Sequence, residues 1–331
     1  LGKRSGEIGN GRSATTGGKH VGCGHVGVNA AFKALDDGLD GLVRYREPLA
    51  RHTTLRIGGP VALYLECDTV SDVALALEVL TAEGIEFTVL GRGSNVLAAD
   101  DGYDGAVIVL GREFRRYALD TQGRLKAGAG VALAAIVQEA FSAGMTGLEF
   151  AVGIPGTLGG ALCMNAGTRD EWICDVVESV VLYAAGHGLV SVRGPEVDWA
   201  YRGSSLARQG IILESTLRLN PGDTSRIRAS MESSLKRRRR NQPVALPNAG
   251  SVFRNPEGDS AGRLIESVGL KGASVGGAQI SDAHANFIVN AGDATAHDFL
   301  TLVHMARDAV LEQHGIELKP EIKFLGSFKS P

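Results

Sequence analysis

Between Gly144 and Gly167 the chain reads GMTGLEFAVGIPGTLGGALCMNAG, and few folds can hold such a stretch. Its glycines and single proline stand among apolar residues, with Glu149 the one charge apart from the segment's flanks. A solvated linker is more polar than this, so the stretch belongs to a folded body. Glycine has no Cβ, which lets backbone approach a ligand and take positive φ without strain. Three readings stay open on these residues alone. A flat cofactor lies against bare backbone, a phosphate is cradled by successive N–H groups, or a tight turn closes in a glycine-rich fold.

The rest of the chain narrows the field. At 331 residues it is long enough for two or three domains. Apolar residues make up 44% and charged residues 21%, as in an ordinary folded chain, whereas 45 glycines against 5% aromatics point to many tight connections. The net charge of −3 gives no global pull toward nucleic acid or an anionic membrane, and neither is expected as a partner. No run approaches the ~18 apolar residues of a membrane span, and the first residues lack a signal pattern. A cytoplasmic protein without membrane insertion is the resulting expectation. Cys23, Cys67, Cys163 and Cys174 are scattered, and the eight histidines form no H-E-x-x-H, so neither a disulfide framework nor a metal site is expected.

In chain order, residues 1–40 are rich in Gly, Ser, Thr, Lys and Arg and read as a flexible extension. Folded sequence begins near Asp40. Strands are expected at Val61–Glu66, at Phe87–Leu90 (buried) and at Ala106–Leu110, with a helix capped by Ser71 between the first two. A hairpin turning at Gln122–Gly123 and a helix with Leu133, Ile136, Val137 and Ala140 on one face follow. Further strands are expected at Val176–Ala185, Leu189–Val192 and Ile211–Leu219. Asn220–Asp223 reads as a linker. Beyond it come helices at Thr224–Arg240, Ala261–Val268 and Thr295–His314, and strands at Asn286–Asn290 and Ile316–Leu325. Domain limits follow as 41–110, 111–220 and 221–331. The run Lys236–Arg240 reads as favourable charge at a helix C-terminus before Pro243, with nucleic-acid binding the disfavoured alternative.

Several short segments could carry chemistry. GRGSN, Gly91–Asn95, directly follows a strand and can form an anion-binding concavity from successive N–H groups. It is not the dinucleotide fingerprint, since Val96 stands where the third glycine belongs. Arg202 can hold a carboxylate through two parallel bonds, though a surface ion pair is the commoner use of an arginine. Ser251, Glu321 and His284 read most simply, one at a time, as a turn residue, a solvent-facing strand residue and a core or capping histidine.

Their order along the chain changes this. TTLRIGG (53–59), LGRGSNVL (90–97), GLEFAVGIPGTLGGALCMNAG (147–167), YRGS (201–204), AGSVFRNP (249–256), GLKG (269–272), HANFIVN (284–290) and LKPEIKFLG (318–326) together resemble the UDP-N-acetylenolpyruvoylglucosamine reductase (MurB) family. The resemblance implies an α+β fold: a two-subdomain FAD-binding module of the vanillyl-alcohol-oxidase (PCMH) type, then a C-terminal α+β substrate-binding domain. The strand after YRGS follows without a long insertion, which resembles the shorter, type II form. Thr168–Glu171 departs from the family's usual turn.

The resemblance further implies reduction of an enolpyruvyl ether of UDP-N-acetylglucosamine to UDP-N-acetylmuramate, in peptidoglycan precursor synthesis. Non-covalent FAD is the implied cofactor, NADPH the co-substrate and a UDP-sugar the small-molecule partner of a monomer or weak oligomer. The implied catalytic residues are Arg202 toward the developing carboxylate charge, Glu321 as a second electrostatic residue kept protonated by burial, and Ser251 as proton donor. Flavin contacts are implied for Ile57, Gly91, Arg92, Gly93, Ser94, Asn95, Gly153, Ile154, Pro155, Gly156, Thr157, Gly160, Asn165 and Ile212. Substrate contacts are implied for Tyr201, Asn255, Lys271, His284 and Lys323. The rival readings are a sugar or lactone oxidase on the same scaffold, marked by oxygen consumption without NADPH, and a non-catalytic nucleotide-binding module, marked by binding without flavin reduction.

Overall fold

The structure is a computed structural model that describes residues 24–168 and 170–328. Its first layer is a four-stranded sheet in the order Leu42–Pro48, Pro60–Cys67, Tyr103–Leu110, Phe87–Val89. The first pair is antiparallel and the other two pairings are parallel. A parallel pair needs a crossover, and helix Val70–Ala82 supplies it. Its cap lies on Thr69, two residues before the expected Ser71. The Thr69 hydroxyl accepts the Asp72 N–H at 3.1 Å, and Asp72 accepts the Thr69 N–H at 3.2 Å, a complete capping box.

Two expectations fail in this layer. Residues 24–38 of the supposed flexible extension form a helix, Gly24–Gly38, packed on Val70–Ala82 with Ala31 and Leu35 fully buried. Val28, Phe32 and Leu39 extend the same apolar face, a helical spacing masked by the surrounding glycines. Residues 1–23 lie outside the described residues. Strand Phe87–Val89 is not buried either: Phe87 and Val89 are about two-fifths exposed and face a cavity.

The second sheet is antiparallel, in the order Gly188–Arg193, Val177–Ala184, Ile211–Arg218, Arg124–Gly128, Tyr117–Leu119. Helix Leu133–Ser142 buries Leu133, Ile136, Val137 and Ala140, the face read from the sequence. One apolar core runs through both sheets, from Leu63 and Ile108 to Leu125, Val180 and Leu217.

The C-terminal part has its own core, built on Phe253, Leu264, Ile288, Phe299 and Val303. A three-stranded antiparallel sheet (Ser274–Val275, Ala278–Ile280, Ile288–Asn290) packs with helices Ala261–Ser267 and Ala296–His314. The strand expected at Ile316–Leu325 shrinks to Lys323–Leu325, preceded by an isolated antiparallel bridge of Pro320 with Phe253. That short strand pairs in parallel with Val96–Ala98 and so returns the chain to the first sheet. A second tie is Asp100, whose carboxylate accepts the N–H groups of Ala296 and His297 at 2.7 and 3.0 Å and caps the long helix from another part of the fold. No described helix is long and apolar enough to cross a membrane.

Candidate active site

The two sheets and the C-terminal part enclose a cavity of about 1880 Å³. Its first wall is the loop Gly91–Asn95. Gly93 has φ +60°, and a Cβ there would sit 2.2 Å from the His52 carbonyl oxygen, so only glycine fits. Among the described residues, none of the N–H groups of Gly91, Arg92, Gly93, Ser94 and Asn95 has a protein acceptor in hydrogen-bond geometry. Five consecutive donors without protein acceptors, on a loop that lines the cavity, can form an anion-binding concavity.

The second wall is the glycine-rich stretch. It is more structured than a loop. A 3-10 turn spans Glu149–Ala151, and a short helix, Leu158–Cys163, is capped by Thr157, which accepts the Gly160 N–H. Glu149 is buried and spent internally, accepting the Thr146 hydroxyl at 2.6 Å and the Gly147 N–H at 2.7 Å. The two walls touch: the Ser94 hydroxyl donates to the Pro155 carbonyl at 3.1 Å, and a Cβ on Gly91 would lie 2.6 Å from the Thr157 hydroxyl. Gly153, Ile154, Pro155, Gly156, Thr157, Gly160 and Ile212 all line the cavity.

Arg202, Ser251, Glu321 and Lys323 line the same cavity. Arg202 occupies the two-residue turn between strands Trp199–Ala200 and Gly203–Ser204, with φ +57°. Left-handed backbone on a non-glycine residue costs of order 1–3 kcal/mol, which the surroundings must offset. Those surroundings are specific. The guanidinium carbon lies 5.5 Å from the Trp172 ring centre and 5.2 Å from that of Tyr201, and Nη1 donates to the Gly167 carbonyl at 3.3 Å. Nε stands 2.7 Å from Glu321 Oε1, with side-chain exposures of 21% and 12%. The contact is one of charge, because the buried Nε–H is not aimed at any acceptor. Burial pushes the Glu321 carboxyl above its usual range, against the pull of Arg202 and then of Arg254.

Ser251 and Glu321 are brought together by backbone. The Glu321 N–H donates to the Val252 carbonyl at 2.8 Å, so the two residues sit on facing segments. The Asn95 side-chain amide donates to the Glu321 carbonyl at 3.3 Å, and the Lys323 N–H donates to the Asn95 carbonyl at 2.9 Å. Thus the 91–95 loop and the acid share one hydrogen-bonded frame.

Six expected site residues do not line the cavity. Ile57 is 2% exposed and plugs the C-terminal core. Asn165 is buried, donating to the Ala200 carbonyl and accepting the Cys174 N–H, so it braces the Arg202 hairpin from behind. Tyr201 is exposed and packs edge-on against Trp172. Asn255 accepts the Ala261 N–H at the start of a helix. Lys271 pairs with Glu266 at 2.9 Å. His284 accepts the Asn286 N–H and packs on Phe287, and burial, then Lys271, pushes its imidazole below the usual range. The capping or core reading of His284 is the one its contacts match.

The sequence reading missed Arg238. It lines the cavity beside Gly153, and burial, then Arg237 and Arg202, push its guanidinium down. The signal was present in the run Lys236–Arg240 but was read as helix-end charge. Phe87, Val89, Tyr117, Val244, Leu246 and Phe324 were also missed, large apolar side chains that stand exposed on the cavity wall. The walls thus combine bare N–H groups, cations and apolar surface, which fits a dinucleotide with a flat ring: donors for phosphates and apolar faces for the ring.

Comparison with known proteins agrees. Residues 61–191 match the FAD binding domain, and residues 242–325 match the C-terminal domain of UDP-N-acetylenolpyruvoylglucosamine reductase. The proteins of that name from Heliobacterium modesticaldum and Moorella thermoacetica are 46% and 43% identical. These matches cover 85% and 90% of this chain and 90% and 98% of theirs. The crystal structure of UDP-N-acetylenolpyruvylglucosamine reductase (MurB) from Thermus caldophilus superposes with a TM-score of 0.75 at 38% identity, covering 86% of this chain and 99% of that one. The fold is α+β, an FAD-binding domain followed by a C-terminal α+β domain. The chain belongs to the UDP-N-acetylenolpyruvoylglucosamine reductase family of FAD-dependent oxidoreductases.

Proposed function

We propose that this chain reduces the enolpyruvyl ether of UDP-N-acetylglucosamine to UDP-N-acetylmuramate, using NADPH and non-covalently held FAD, in cytoplasmic peptidoglycan precursor synthesis. The observation that carries the reading is charge. Among the described residues, seven cationic residues line the cavity (Arg56, Arg92, Arg115, Arg202, Arg208, Arg238 and Lys323), Arg115 paired with Glu66 at 2.8 Å, and Glu321 is the one acidic residue in the lining, in a chain whose net charge is −3. Such a wall suits ligands that are themselves polyanions, as a flavin dinucleotide, NADPH and a nucleotide sugar acid all are.

FAD, once bound and reduced by NADPH, would supply the hydride. The Gly91–Asn95 N–H groups and the 153–160 turn would hold it, with Ile212 behind. The chain's remaining work is binding, charge and protons. Arg202 holds the substrate carboxylate, toward which negative charge moves when the vinyl group is reduced. Its unaimed Nε–H is a donor that such a carboxylate satisfies. Glu321, with its pKa raised by burial, keeps a proton more readily than a surface acid and so opposes that charge less. Ser251 delivers a proton to the carbon that hydride does not reach, a step where position compensates for weak acidity. Lys323 is the remaining substrate contact on the wall. The division at 41–110, 111–220 and 221–331, and a monomer or weak oligomer, complete the reading.

The test is a visible spectrum of the purified holoprotein under anaerobic conditions. NADPH should bleach the flavin bands and the enolpyruvyl nucleotide sugar should restore them. Ser251→Ala should bleach and fail to recover, and full steady-state activity in that variant overturns its role. Oxygen consumption without NADPH would favour an oxidase instead.

A further inference from the structure

Thr54 has no role in the scheme above, yet its turn, residues 52–57, touches both sides of the cavity. Its backbone N–H donates to the Gly93 carbonyl at 3.2 Å, and a Cβ on Gly93 would collide with the His52 carbonyl and Thr53 Cα. The turn therefore holds the 91–95 loop. On the other flank Leu55 and Ile57 insert into the C-terminal core, and the Leu55 carbonyl accepts the Asn290 side-chain amide at 3.2 Å.

The Thr54 hydroxyl spans the gap between them. It donates to the Asn248 carbonyl at 2.7 Å, with the Gly93 carbonyl a more distant 3.4 Å away. Among the described residues this is the sole hydrogen bond from the chain before residue 220 to the segment 248–251. Asn248 in turn accepts the Gly250 N–H at 3.0 Å, and Ser251 is next. Beyond Ser251, the Val252 N–H is fixed to the Asn286 carbonyl at 2.8 Å inside the C-terminal part. Asn248 also bridges to Val289, and the Asn290 N–H donates to the Pro247 carbonyl at 2.9 Å, so Ser251 lies between two points held in the C-terminal part, the first of which Thr54 ties across to the 91–95 loop.

We propose that Thr54 is a positioning residue whose hydroxyl, beside the Asn95–Lys323 and Glu321–Val252 backbone bonds, fixes the separation between the 91–95 loop and Ser251, and through it the geometry of proton delivery. The inference rests on the reading of Ser251 as proton donor. Reduction by NADPH does not use Ser251, so the two half-reactions respond differently to loss of the tie. A partly buried hydrogen bond of this kind is worth up to about tenfold in rate.

Stopped-flow absorbance on the holoenzyme separates the half-reactions. Thr54→Val should leave flavin reduction by NADPH unchanged and slow reoxidation by the enolpyruvyl sugar about tenfold, with a larger solvent deuterium isotope effect on that step. Thr54→Ser, which keeps the hydroxyl, should restore it. If the valine variant does not fold, Thr54→Ala carries the same expectations. In the apoprotein, amide exchange at Gly250 should quicken in Thr54→Val while Val252 stays unchanged. Equal loss in both half-reactions, no loss in either, or a serine variant that fails to rescue overturns the proposal. A wild-type enzyme that the sugar does not reoxidise overturns the reaction itself, and Thr54's role with it.

Discussion

Replacing Arg202 with methionine isolates the charge logic of the site. Arg202 Nε and Glu321 Oε1 are 2.7 Å apart, and both side chains are mostly buried. At an effective dielectric of about 20 the gross attraction at that separation is about 6 kcal/mol, and desolvation of both ions offsets much of it. Removing one partner of a buried pair costs about 3–5 kcal/mol when the other must stay charged. Glu321 has an escape, because it can take up a proton. Its folded pKa already lies above the ordinary 4.5 through burial, and losing Arg202 removes the strongest pull downward. The folded state then binds more protons than the unfolded state in the window above pH 4.5, so stability falls as pH rises through that window. In Arg202→Met the window extends further upward. Equilibrium urea unfolding of the apoprotein from pH 5 to 8 should show a deficit of about 3 kcal/mol at the alkaline end that mostly disappears at the acid end. Adding Glu321→Gln should flatten the difference. A deficit of the same size at every pH would refute the argument, since it would come from lost packing on Trp172 and Tyr201 and not from charge.

Arg238→Ala should weaken binding of phosphate-bearing ligands about tenfold, measured by calorimetry with FAD and with NADPH, at little cost in stability because burial already disfavours the charge. Gly93→Ala forces a side chain into left-handed backbone against the His52 carbonyl, a cost of at least about 1–2 kcal/mol, and should lower the ratio of flavin to protein absorbance in purified material. Asp100→Ala leaves two N–H groups of helix Ala296–His314 without their acceptor, and urea unfolding should show a loss of about 1 kcal/mol.

Regular elements were legible where the pattern was local. Leu133, Ile136, Val137 and Ala140 read as one helix face and are all buried. The first helix was not legible, because its stripe is short and its burial comes from a partner helix forty residues away. The site was legible as a set of segments and less so as a set of contacts. Arg202, Ser251 and Glu321 come from three distant stretches and meet at one cavity. Ile57 and Asn165 stand in matching motifs yet face away, since a motif fixes the backbone path and neighbouring packing decides which side chains turn inward. Arg238 was lost for the converse reason: one arginine in a run of four lies against Gly153, and helical phase relative to a distant loop cannot be read from composition.

The two kinds of positive wall are built differently, and on the proposed reading that difference has a use. The N–H groups of Gly91–Asn95 are fixed by backbone, with Gly93 locked against His52 and Ser94 tied to Pro155. Donors that need no ordering on binding suit a group that stays. Arg238 and Lys323 present their charge on side chains, and Arg238, packed beside Gly153, and Arg202 repel each other until an anion arrives. Cations of that kind suit ligands that must enter and leave on every turnover, as NADPH and the nucleotide sugar would in succession. Among the described residues, Glu321 is then the acid of the cavity lining placed where it can neutralise Arg202 between ligands. Because burial raises its pKa, it yields that partner to a stronger carboxylate when the substrate binds.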